Sequence, residues 1–225
     1  MTLQHRFDGP VDAPVLVLGS SLGTSLEMWD PQVEALGAPY RLLRYNRRGH
    51  GSSLAVPGPA TLDDLGGDVL ALLDALGLER VAFCGLSLGG LEAMWLALHA
   101  PERVERLVFC CTAPSFPPAQ QWHDRAAVVR ESGIETIADA VLARWFRPTF
   151  HAAHPDAVDR FRRMLLATSP EGYAACCEAI AAVDLWPRIG EVGVPTLVLT
   201  GKEDPVATPA SGARLRAAIP GRRTS

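Results

Sequence analysis

The sequence predicts an α/β fold in which a mostly parallel sheet is covered by helices on both faces and interrupted by a helical insertion. Three observations predict it. Short apolar runs bounded by Pro or Gly recur as PVLVLG, VAFC and VPTLVLT, the pattern of strands buried on both faces. Stretches with apolar residues at helical spacing alternate with them, as a parallel sheet requires. The alternation stops at Ala113 and resumes after about Trp186, and the residues between have helical character only.

Each element has its own local reason. Residues 14–19 form the first clear strand, and Trp29-Asp30-Pro31 starts a helix, with Asp30 as N-cap and Pro31 at the first helical position. A strand over residues 40–45 leads into a loop rich in Gly and Pro. Leu62, Leu65, Val69, Leu72, Leu73 and Leu76 recur at helical spacing, and Gly77 stops the helix. Residues 81–84 are the next strand. Residues 88–99 are apolar nearly all round, which marks a helix buried in the protein centre. Residues 106–111 form another strand. The insertion carries breaks at Pro117-Pro118, Pro148 and Pro155; then come a buried strand over 194–200 and a helix over 209–219. The expected organisation is core over 1–112, cap insertion over 113–186, and an incomplete second part of the core over 187–225.

Composition excludes several function classes. The 225 residues are 48% hydrophobic and 20% charged, enough for a sizeable core. The net charge of −4 comes from mixed signs with no basic block, which argues against nucleic acid as a partner. No apolar run approaches the ~20 residues of a membrane span, and MTLQHRFDGP lacks the apolar core of a signal peptide. The five cysteines include two adjacent pairs and no C-x-x-C. They read as free thiols in a reducing cytoplasm, with no disulfide framework and no metal site.

Chemistry is signalled at FCGLSLGG. Gly85-Leu86-Ser87-Leu88-Gly89 fits G-x-S-x-G at the junction of a strand and a buried helix, the setting of a nucleophile elbow. The turn is so tight that side chains at Gly85 and Gly89 would collide with backbone, and Ser87 is lifted clear at a helix N-terminus. The competing reading is a glycine-rich turn whose Ser87 only caps the helix. For the oxyanion, the N–H of Leu88 already points at the attacked carbonyl oxygen, and the loop Gly19–Gly23 offers the N–H of Leu22 as a second donor. The triad acid is expected after a late strand. Asp204, kept out of helical geometry by Pro205, fills that place; Glu203 beside it is the alternative, and otherwise reads as a surface charge.

Together these residues resemble the α/β-hydrolase superfamily, and within it the 3-oxoadipate enol-lactonases. The stretches HRFDGP, SSLGTSLEMWDPQ, RYNRRGHGSS, LGGDVLALLDALGLERVAFCGLSLGG, APERVERLVFCCTA, RWFRP and TSPEGYAACCEAI carry the resemblance over nearly the whole chain. It implies an α/β-hydrolase fold with a helical cap, and hydrolysis of a small anionic lactone in aromatic catabolism. Ser87 is then the nucleophile, Asp204 the triad acid, and Leu22 and Leu88 the oxyanion donors, with no metal or organic cofactor required. The substrate's free carboxylate needs a cation. Arg144, in R-W-F, is the candidate with Trp145 as an apolar wall, although both residues also suit cap packing.

The sequence departs from the family in three places. Asn46 stands where relatives often carry Asp, and the N-terminus begins one strand late. The family's catalytic histidine lies in an Ala-His segment beyond the helix that here is 209–219, and this sequence stops at PGRRTS. His5, His99, His123, His151 and His154 fall on an early strand, a helix end or the insertion. His50 follows a core strand, but the same turn occurs in relatives that have the proper histidine, so a structural role is expected for it. The expectation is therefore a C-terminally truncated hydrolase, weakly active and prone to associate through an uncovered sheet edge. A general carboxylesterase, or a binding protein that has lost turnover, are the other readings.

Overall fold

In the computed structural model, which describes residues 3–220, six strands form one sheet in the order β1-β3-β2-β4-β5-β6. They are β1 (His5–Asp8), β2 (Val15–Gly19), β3 (Arg41–Tyr45), β4 (Val81–Leu86), β5 (Val104–Cys110) and β6 (Thr196–Leu199). β1 runs antiparallel to β3, and every other pairing is parallel. The parallel strands were legible because both faces are covered. Val17, Leu18, Leu42, Leu43, Phe83 and Phe109 have no more than 0% exposure, each worth ~1.5–3 kcal/mol of burial.

Three core helices interleave with the strands: α1 (Asp30–Leu36), α2 (Leu62–Ala75) and α3 (Leu88–His99). Thr61 and Asp64 close a reciprocal capping box at the start of α2, and Gly77 ends that segment with φ 65°. Every residue of α3 is buried except His99, which explains its apolar circumference. Between β5 and β6 come five α-helices, a short 3₁₀ turn at Ile189–Glu191 and no strand: α4 (Gln120–Ser132), α5 (Glu135–Trp145), α6 (Pro148–Ala153), α7 (Pro155–Leu166) and α8 (Pro170–Ala182). Pro148 and Pro155 act as first-turn residues that start α6 and α7. The last helix described is α9 (Pro209–Ala218).

Two expectations needed correction. Asp30 is not an N-cap: Leu26–Trp29 already form a 3₁₀ turn that runs into α1, so Asp30 is helical. Its carboxylate instead accepts from Arg44, which is buried, at 2.6 Å. β6 is not a strand buried on both faces. It pairs with β5 alone among the described residues, and Leu197 and Leu199 are 48% and 47% exposed. Its apolar run reads as interior, but nothing described covers that face. The tail residues Arg222 and Arg223 lie outside the described residues.

Candidate active site

β4 ends at Leu86 and α3 begins at Leu88, so Ser87 alone makes the turn. Its backbone has φ 55° and ψ −114°, a conformation that costs a non-glycine residue of order 1–3 kcal/mol. The surroundings hold it there. The Ser87 N–H donates to the Cys110 carbonyl at 3.0 Å. The Ser87 carbonyl accepts from the Gly90 and Leu91 amides and from the Thr112 hydroxyl, the last at 2.8 Å. A Cβ on Gly85 would strike the Gly89 carbonyl, and one on Gly89 would strike the Gly19 carbonyl. These two glycines let strand and helix approach closely enough to force the corner.

Ser87 opens into a cavity of about 970 Å³. Asp204 and Leu22 line the same cavity, as do Arg144 and Trp145. Five of the six site residues expected from sequence thus share one space. The sixth, Leu88, follows Ser87 at the first helical position, where its amide has no intrahelical acceptor. Asp204 Oδ1 accepts from the Val206 and Ala207 amides at 2.8 and 2.9 Å, which fixes the carboxylate. Glu203 is a surface charge, as expected, paired with Arg147 at 3.0 Å.

The loop that carries Leu22 is held by groups the sequence reading missed. Arg47, buried, donates to the Ser21 carbonyl at 2.8 Å and to the Ser20 carbonyl at 2.5 Å. The Gly89 amide donates to the same Ser20 carbonyl at 3.1 Å, tying the loop to α3. Arg47 is in turn paired with Glu92 at 2.9 Å, and Glu92 accepts from the Tyr45 hydroxyl. Burial, then the Glu92 charge, pushes the Tyr45 hydroxyl well up, so it stays a donor. A signal for this network stood in the sequence: Glu92 is the one acid in an otherwise apolar helix.

His50 also belongs to the loop's support. The Gly23 amide donates to His50 Nε2 at 3.0 Å, so the ring proton sits on Nδ1, which faces the Arg48 carbonyl at 3.0 Å. Burial, then the nearby Arg47 charge, pulls its pKa down to about 3. Both nitrogens are occupied, which gives His50 the structural role expected of it. His99 stacks on Trp95 at 4.6 Å, and His154 lies in a separate groove beside Phe150. No histidine among the described residues lines the cavity that Ser87 opens into.

The cysteines are free thiols. Cys176 and Cys177 are buried; Cys84, Cys110 and Cys111 are half-buried, and Cys111 reaches the cavity wall. Burial raises the Cys111 thiol, and the adjacent Asp204 carboxylate adds to the rise. It is thus a neutral neighbour of the acid.

Comparison with known proteins places this geometry. Residues 14–225 match the model of the alpha/beta hydrolase fold family. The chain is 42% identical to 3-oxoadipate enol-lactonase 2 of Acinetobacter baylyi over 94% of its own length and 79% of that relative's. It superposes on the crystal structure of the enol-lactonase from Burkholderia xenovorans LB400 with a TM-score of 0.96 at 46% identity, covering 98% of this chain and 86% of the other. A thermophilic esterase from Thermogutta terrifontis, solved with malate bound, gives a TM-score of 0.91 at 28% identity over 98% of this chain and 82% of that one. The chain therefore belongs to the α/β-hydrolase family, among the relatives of the 3-oxoadipate enol-lactonases.

Proposed function

We propose that the protein hydrolyses 3-oxoadipate enol-lactone to 3-oxoadipate, a step in the β-ketoadipate route of aromatic degradation. The observation that carries the reading is the convergence of Ser87, Leu22 and Asp204 on one cavity, in a chain 42% identical to an enol-lactonase. In this scheme Ser87 Oγ attacks the lactone carbonyl, and the amides of Leu22 and Leu88 hold the developing oxyanion. The ring C–O bond breaks as the acyl-enzyme forms. The leaving enol takes up a proton and tautomerises to the ketone, which draws the step forward. Water then cleaves the acyl-enzyme and restores the serine. Asp204 orients a histidine that first takes the serine proton and later activates the water. No histidine among the described residues lines the cavity.

The test is a substrate panel. Enol-lactone should be hydrolysed with a higher kcat/KM than neutral carboxylic esters of similar size, and Ser87→Ala should remove the activity. Preference for neutral esters would instead support a general carboxylesterase of the same fold. Binding of a small dicarboxylate with no hydrolysis would support a ligand-binding role, the reading favoured by the lack of a cavity histidine among the described residues.

A further inference from the structure

Two arginines face the cavity from the cap with no anionic partner. Arg125 on α4 and Arg144 on α5 both line the space into which Ser87 opens. Neither forms an ion pair or donates a hydrogen bond to a carboxylate among the described residues. Their neighbours behave differently. Arg130, also on α4, is bound to Glu171 at 2.9 Å and Glu178 at 2.6 Å. Arg147, just past α5, is bound to Glu203 at 3.0 Å, and Arg162 on α7 is paired with Asp139. Those three are neutralised, while Arg163 on α7 is exposed to solvent and has no ion-pair partner among the described residues. The two that face inward are left charged, and Asp204 is the sole carboxylate among the cavity-lining residues.

Arg125 is held on an aromatic face and beside a buried hydroxyl. Its guanidinium carbon lies 4.6 Å from the centre of the Trp122 ring, and the Trp122 indole is itself fixed by donating to the Phe116 carbonyl at 2.7 Å. Stacking on an aromatic face orients a guanidinium while leaving its N–H edge free for a carboxylate. The buried Tyr173 hydroxyl lies beside both arginines. Burial and then the Arg125 charge weaken the hold of Arg144 on its proton, so the two cations are close enough to repel. An anion seated between them would relieve that repulsion.

We infer that Arg125 and Arg144 form a two-guanidinium clamp for a free carboxylate, with Arg125 the residue that selects anionic over neutral ligands. The inference deepens the hydrolase reading: the clamp would bind the end of the substrate remote from the reacting carbonyl. Arg214 also lines the cavity, but it rises from α9 in the core and stacks on Trp186 at 3.8 Å. It is the natural comparison.

Binding of adipate and of its neutral isostere adipamide to the 225-residue chain tests the clamp without any turnover. Trp122, Trp145 and Trp186 line the cavity and report binding by their fluorescence. Adipate should bind more tightly than adipamide, by about tenfold or more, the scale of one charge-assisted contact. Arg125→Gln and Arg144→Gln should each erase most of that preference and leave adipamide binding unchanged. Arg125→Lys should restore part of it, and Arg130→Gln should have no effect. Equal binding of adipate and adipamide by the unaltered chain overturns the clamp, whatever the variants do to folding. So does a preference lost in Arg214→Gln but kept in Arg125→Gln. Failure of the hydrolase reading looks different: adipate binding that depends on Arg125, with no lactone turnover.

Discussion

The Arg47 guanidinium and the Glu92 carboxylate meet at 2.9 Å, with their side chains 3% and 0% exposed. This buried pair joins the loop before the cavity to the helix after Ser87, because Arg47 also holds the Ser20 and Ser21 carbonyls. Removing one member leaves an uncompensated charge inside the protein. Glu92→Leu or Arg47→Met alone should cost about 3–5 kcal/mol, read as a lower urea midpoint. The double variant should recover part of that loss, since no lone charge remains. A double variant as unstable as the sum of the singles would show that the two groups act independently.

The corner at Ser87 makes a prediction about glycines. Gly85→Ala and Gly89→Ala each push a methyl against rigid backbone, an overpacking worth roughly 1–3 kcal/mol or more. Gly67, inside α2, has open space where a Cβ would stand. Gly67→Ala should therefore stabilise the helix by about 0.5–1 kcal/mol. Thermal melts of the three variants should move in opposite directions, and a similar loss in all three would remove the steric account.

His50 makes stability depend on pH. Unfolded, the ring takes a proton as pH falls below about 6.5; folded, it resists down to about 3. Between those values the unfolded chain holds the extra proton, so stability falls as pH falls, by about 1.4 kcal/mol per pH unit at full effect. His50→Asn should flatten the dependence between pH 6 and 4 by about that slope in urea titrations. An unchanged slope would mean that His50 is already charged in the folded state.

No described histidine reaches the cavity, so the 225-residue polypeptide should turn over enol-lactone far more slowly than a complete serine hydrolase. The rate expected is the roughly 10³–10⁴-fold gain over water that remains when one triad member is removed. Added imidazole should raise it, and Ser87→Ala should abolish the imidazole effect. Turnover at an ordinary hydrolase rate without imidazole would refute this.

Much of the molecule was legible in the sequence because its signals are local. Ser87 was exposed by the glycines on either side, which only a cramped turn explains. The course of β4 and α3 followed from uninterrupted apolar runs. Asp204 could be picked out because Pro205 follows it and a strand precedes it. Arg125 carried no such signal. Its charge looks like that of Arg130 five residues on, and only the presence or absence of Glu171 and Glu178 across the cap separates the two. Asp30 looked like a helix cap because Pro31 follows it, and nothing local shows that its partner, Arg44, comes from β3.

By itself the sequence determined the alternation of strand and helix, the corner that presents a serine, and the kinship with α/β-hydrolases. Backbone sterics and apolar periodicity act over a few residues and leave their mark in order along the chain. Only the tertiary structure decided which charges are neutralised and which are left facing the cavity, that His50 is held neutral as a prop for the loop, and that β6 lies at an edge. Those outcomes depend on Coulomb partners and coverage brought together from distant positions, and the distances between such groups exist only once the chain has folded.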